Sequence, residues 1–69
     1  MPDFVHEALE KSKQYEAYSE RPPYQQNDYI GWITRAKLEA TRQKRLEQML
    51  DELARGDVYM KMKYNPQNS

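Results

Sequence analysis

The chain has 69 residues, eleven basic and eleven acidic side chains, one histidine, no cysteine and a formal net charge of zero. So short a chain forms one domain with one small core, which supplies only about 3–5 kcal/mol of net stability. No disulfide or thiolate metal site can add to it. A mean hydropathy of −1.20 leans toward disorder, whereas six tyrosines, one tryptophan and one phenylalanine with no net charge favour a small folded core with loose ends. Such a core is marginal alone, or helped by weak self-association.

Charge is unevenly placed. Residues 1–28 carry −3, residues 29–46 carry +4, residues 47–57 carry −3 and the tail carries +2. This alternation suits helices that pair with one another or with a second copy, and it is a weaker nucleic-acid signal than a strongly basic domain. No apolar run reaches the ~18 residues of a membrane span, and no charged-then-apolar secretory leader is visible. The expected location is the cytoplasm.

In chain order, Pro2-Asp3 reads as a helix start with Asp3 as N-cap. Phe4, Val5, Ala8 and Leu9 follow as a short apolar stripe. The pattern pauses at Ser12, read as the cap of a second short helix that sets Tyr15 and Tyr18 on one side; a single bent helix over 3–20 is the alternative. Arg21-Pro22-Pro23 is a stop, since two prolines cannot continue a helix. Pro23 suits the first turn of the next helix, predicted over 23–37. In that helix Tyr29, Trp32, Ile33 and Ala36 recur at i, i+3, i+4 and i+7, one buried face, and Trp32 is the largest apolar side chain available. Gly31 inside it costs roughly 1 kcal/mol against Ala. It reads equally well as a close backbone contact or as a tolerated surface glycine.

A last helix is predicted over 39–55, with Leu46, Met49, Leu50 and Leu53 inward and Gly56 as its terminator after basic Arg55. Residues 57–64 alternate only partly, and nothing else in the chain reads as a strand partner. They are therefore expected to form an extended arm, followed by a disordered tail at 65–69. The expected architecture is an all-α bundle of three to four helices over 1–57, with an arm and tail over 58–69. The third and fourth helices form an antiparallel hairpin. Its core draws on Phe4, Ala8, Leu9, Tyr15, Tyr18, Tyr29, Trp32, Ile33, Ala36, Leu46, Met49, Leu50 and Leu53.

No residue set specifies a reaction. His6 has Glu10 at i+4, an incomplete metal pair that reads better as a solvated surface histidine. No nucleophile–base set and no Gly-rich phosphate loop is present. The expectation is a non-catalytic protein without cofactor or metal. The one surface that invites a ligand is the basic group Arg35, Lys37, Thr41, Arg42, Lys44 and Arg45. Gathered at an inter-helix corner, its guanidinium forks suit an oxyanion or an acidic partner. The plainer reading pairs Arg42 or Arg45 with Glu7, Glu10 or Glu16 and lets Lys37 cap its own helix.

The spacing Tyr29-Ile30-x-Trp32-Ile33-x-x-Ala36-Lys37-x-x-x-Thr41-Arg42-x-x-Arg45 resembles the signature of the YdeI/OmpD-associated family, also labelled bacteriocin-protection proteins. The likeness covers residues 3–56. It departs at Leu38-Glu39-Ala40, where relatives often carry a basic-Pro-acidic turn, which bears on where the following helix starts. The resemblance implies an all-helical module, a C-terminal part in larger relatives, linked to resistance against bacteriocins and antimicrobial peptides and to an outer-membrane porin. It brings no mechanism to individual residues. The reading is an interaction module with a protein partner; the alternative is a small polyanion or nucleic-acid binder working through residues 35–45, which the zero net charge disfavours.

Overall fold

Four helices and one short hairpin follow one another in a computed structural model that describes residues 1–63. The tail expected at 65–69 lies outside the described residues. Helix α1 spans Asp3–Lys11, α2 Tyr15–Glu20, α3 Pro23–Arg35 and α4 Glu39–Arg55.

The first turn of α1 is set by Pro2, not by Asp3. Pro2 sits in the N-cap position with extended backbone, and its carbonyl accepts from the amides of Val5 and His6. Asp3 is the first helical residue, where its charge favours the positive end of the helix. The predicted break at Ser12 is present, with the roles changed. Ser12 closes α1: its Oγ donates to the Ala8 carbonyl at 2.8 Å and its amide to the same oxygen at 3.0 Å. Lys13 then turns the chain through φ 61°, and Gln14 opens α2.

Arg21-Pro22 separates α2 from α3, and Pro23 takes the first position of α3, where a missing amide costs nothing. Helix α3 ends at Arg35, two residues before the expected end. Ala36 leaves the helix at ψ 127° because its carbonyl and that of Trp32 are taken up by arginines of α4 rather than by further turns. Helix α4 has the predicted bounds, and Gly56 stops it at φ 82° with its amide on the Glu52 carbonyl at 2.9 Å. Only glycine adopts that backbone without penalty.

The core is one cluster of Val5, Leu9, Tyr18, Tyr29, Ile33, Leu46, Met49 and Leu53, with Ala36 also buried. Phe4, Ala8, Trp32 and Leu50 pack at its margin, half-buried. Tyr15, expected inside, is 42% exposed and sets its ring edge-on against His6 at 5.3 Å. Val5, not among the expected core, is fully buried: the inner face of α1 runs along Val5 and Leu9, one residue round from Phe4 and Ala8. Helices α3 and α4 form the expected antiparallel pair. Bonds join residue 36 to 42, 32 to 45 and 29 to 52, rising numbers against falling ones.

The expected single extended arm is a hairpin. Strand β1 (Val58–Tyr59) pairs antiparallel with β2 (Met62–Lys63), Val58 opposite Lys63 and Tyr59 opposite Met62. The partner missing from the rest of the sequence lies within the same stretch. Met60 and Lys61 form the two-residue turn with φ of 50° and 63°, the left-handed pair such a turn requires. These residue types are poorly suited to it, at about 1–2 kcal/mol each. The turn is held from outside, by a carboxylate of α4.

Candidate functional site

The basic corner divides into two groups with different employment. Arg42 and Arg45 point back onto the end of α3. Arg45 donates to the Trp32 carbonyl at 2.6 Å, and its guanidinium lies 5.3 Å from the centre of the Trp32 ring. Arg42 donates to the Ala36 carbonyl at 3.1 Å and to Glu39 at 3.4 Å, and lies 5.9 Å from the Phe4 ring. Its buried Nε has no hydrogen-bond partner among the described residues. The last carbonyls of a helix have no partner within it, and a guanidinium there also meets the negative end of the helix. The Thr-Arg-x-x-Arg spacing thus places two forks, one turn apart on α4, over two orphan carbonyls of α3. The acidic partners expected for these arginines are different ones: Arg42 has Glu39, three residues before it, rather than Glu7, Glu10 or Glu16.

The remaining members stay outside. Arg35, Lys37 and Lys44 are exposed, and Thr41 is half-buried. Among the described residues none of the three cations has an ion-pair partner. Lys37 lies beyond the end of α3 and does not cap it. Arg35 folds back along its own helix: a Cβ on Gly31 would stand 3.0 Å from its guanidinium and meets nothing of a neighbouring helix. This decides between the readings of Gly31, which serves no helix–helix contact. Leu38 projects at the corner, 69% exposed. His6 and Glu10 do pair, at 3.3 Å on an open surface, and among the described residues no group of three metal-binding side chains includes them.

A second polar constellation escaped the sequence reading and is more deeply built. Arg21, Gln25 and Glu52 are 6%, 0% and 2% exposed. The Glu52 carboxylate accepts four hydrogen bonds. Oε1 takes the Tyr29 hydroxyl at 2.5 Å and the Met60 amide at 2.8 Å; Oε2 takes Gln48 Nε2 at 3.0 Å and the Lys61 amide at 2.9 Å. Arg21, held between two helices by the proline stop, donates to Gln25 Oε1 at 3.1 Å, to the Glu52 carbonyl at 3.1 Å and to the Val58 carbonyl at 2.9 Å. Occupied lone pairs of this kind offset the cost of burying a carboxylate. Tyr59 adds a bond to Asp28 and sets its ring edge-on to Tyr29 at 5.5 Å and to Tyr24 at 6.1 Å.

Two weak signals for this network were in the sequence. Gln25 continues the stripe of Tyr29, Ile33 and Ala36 one turn toward the N-terminus, and Glu52 follows Met49 by three. Periodicity marks both positions as inward, but it does not say which polar side chains will find partners there. The surroundings perturb the tyrosines. Burial pushes the Tyr29 phenol well above its usual value near 10, and its bond to Glu52 and the nearby charge push further, against an opposing effect of Arg21. Tyr59 is raised by burial and then by Asp28, and Tyr18 by burial and then by Tyr15.

Among the described residues no helix is long and apolar enough to cross a membrane. Comparison with curated proteins and with solved structures finds no match. A family model described as "Bacteriocin-protection, YdeI or OmpD-Associated" matches residues 1–56, a span that takes in all four helices and both arginines seated on α3. The chain therefore belongs to the bacteriocin-protection, YdeI or OmpD-associated family.

Proposed function

We propose that this chain is a non-catalytic interaction module acting in bacteriocin or antimicrobial-peptide protection, and that it meets an acidic protein surface through Arg35, Lys37 and Lys44. The observation that supports this is the division of labour at the corner. Two of the five basic residues there are occupied by helix-end carbonyls, while the other three stand exposed without an ion-pair partner among the described residues. Exposed like charges concentrated on one short segment steer an oppositely charged partner and fix its orientation. The +4 of residues 29–46 is large for a chain with no net charge. Leu38 between them supplies an apolar contact of the kind that sits inside a polar rim.

The test is a triple reversal, Arg35→Glu, Lys37→Glu and Lys44→Glu, expressed in bacteria challenged with a bacteriocin or cationic antimicrobial peptide. All three sites are exposed, so the fold should stand, checked by an unchanged thermal melt. Survival is expected to fall to that of cells lacking the protein. Full protection by the folded triple variant overturns the proposal. Salt-dependent binding of the wild type to DNA, lost in the variant, would replace the protein partner with a nucleic acid.

A further inference from the structure

The groove between α3 and α4 that Glu52 and Arg21 line is filled by the chain's own residues 58–61. We infer that this groove is a receptor for a tight peptide turn, and that the C-terminal hairpin occupies it in cis as an internal ligand. The turn is gripped through its backbone, while the Tyr59 side chain adds contacts with Asp28, Tyr29 and Tyr24 and Met60 packs against the core. The carboxylate of Glu52 takes the two consecutive amides of Met60 and Lys61 at 2.8 and 2.9 Å, one on each oxygen, and Arg21 takes the Val58 carbonyl at 2.9 Å. No side chain of Met60 or Lys61 enters these bonds. A segment of another sequence would therefore fit if it carried a tyrosine followed by two successive residues with positive φ and their amides free.

Four further observations bear on it. The receiving groups belong to the helical module, and with the hairpin seated on them Glu52 is 2% and Arg21 6% exposed. Gln48 orients the carboxylate from within α4, and Tyr29, which also meets the Tyr59 ring of the hairpin, does so from α3. The hairpin is also a poor self-made turn: Met60 and Lys61 stand at φ 50° and 63°, where Asn-Gly would be favoured, so it depends on Glu52 and Arg21 to hold it. Finally, the family match covers residues 1–56, so Arg21 and Glu52 fall within the matched span and the hairpin follows it. The site is separate from the basic corner and does not rest on the function proposed for it.

A tethered occupant acts at an effective concentration in the ~mM range, so an outside turn binds only as often as the hairpin leaves. The probe is a fluorescent peptide, Asp-Val-Tyr-Asn-Gly-Met-Lys, with a control N-methylated at the Asn and Gly amides. Both are titrated by anisotropy against the full chain. In Met60→Ile/Lys61→Ile, β-branched residues at positive φ loosen the hairpin; in Met60→Asn/Lys61→Gly the hairpin is tightened. The unmethylated peptide should bind the wild type, about tenfold or more tightly to the loosened chain, and about tenfold or more weakly to the tightened one, because apparent affinity scales with the open fraction. The methylated peptide should bind none of them. Equal binding of both peptides, equal affinity across the chains, or no binding to a loosened chain that melts cooperatively overturns the inference. Should the loosened chain fail to fold, the same decision comes from wild type against the tightened chain.

Discussion

Glu52→Gln is the most informative single change, because the geometry leaves the amide no good orientation. Both carboxylate oxygens only accept. Oε1 faces the Tyr29 hydroxyl and the Met60 amide, and Oε2 faces Gln48 Nε2 and the Lys61 amide. A glutamine places an NH2 group at one position or the other. The Tyr29 hydroxyl can rotate to accept and Gln48 can flip, but a backbone amide can do neither. One of Met60 or Lys61 therefore loses its acceptor in either orientation, and the bonds that remain lose their charge assistance. An unsatisfied donor costs up to about 1–3 kcal/mol when buried and less at these part-buried amides, and a bond to a charged group contributes about 1.5–3, so a loss of roughly 2–3 kcal/mol is expected. A core of this size supplies only about 3–5 kcal/mol. The melting temperature should then drop by roughly 10–20 °C, with part of the population unfolded at 25 °C. Urea and thermal melts followed by circular dichroism measure this, with the exposed Glu47→Gln as a control expected within about 0.5 kcal/mol of wild type. A loss below about 1 kcal/mol for Glu52→Gln would show that the carboxylate is not the keystone its bonds indicate.

Arg45→Ala should cost about 1–2 kcal/mol, with or without added phosphate, and shift Trp32 fluorescence to the red, since the bond to the Trp32 carbonyl and the cover over its ring go together; a melt unchanged without phosphate and raised by it only in the wild type would instead mark an anion site. Gly31→Ala should be neutral to stabilising by up to about 1 kcal/mol, because the added methyl meets only the flexible end of Arg35; destabilisation in a urea melt would contradict this. Gly56→Ala should destabilise by about 1 kcal/mol through its φ of 82°, read in the same melt. Tyr29 and Tyr59 have phenols raised above 10 in the folded chain. The unfolded chain sheds those protons first as pH rises, so the stability they carry is complete below about pH 10 and lost above it. Tyrosinate absorbance at 295 nm should accordingly rise together with loss of helix, and Tyr29→Phe should weaken that coupling; smooth titration of all tyrosines with the helices intact would be the contrary result.

Local rules fixed much of this molecule. Apolar spacing found the inward faces of α3 and α4, proline placed the start of α3, and glycine the end of α4, since each acts through the backbone of its own neighbourhood. The motif from Tyr29 to Arg45 was legible as a unit, including the spacing of its two arginines. What that spacing is for was not legible. Whether Arg42 and Arg45 meet a carboxylate, a ligand or a carbonyl depends on where α3 stops, and α3 stops where those arginines take its carbonyls. The same circularity hid Arg21, Gln25 and Glu52. A polar residue on an apolar face reads as an exception until its partners are known, and here those partners lie up to 37 residues away. The hairpin was missed for a related reason: Met60 and Lys61 are poor turn residues by their own chemistry, and a carboxylate eight residues upstream of Met60 makes the turn possible. The sequence by itself determined where α3 begins, where α4 ends and which faces of the two turn inward, because those preferences act within a few residues. Only the tertiary structure decided which charges are spent inside and which remain outside, because pairing a buried polar group depends on what distant segments bring within 3 Å of it.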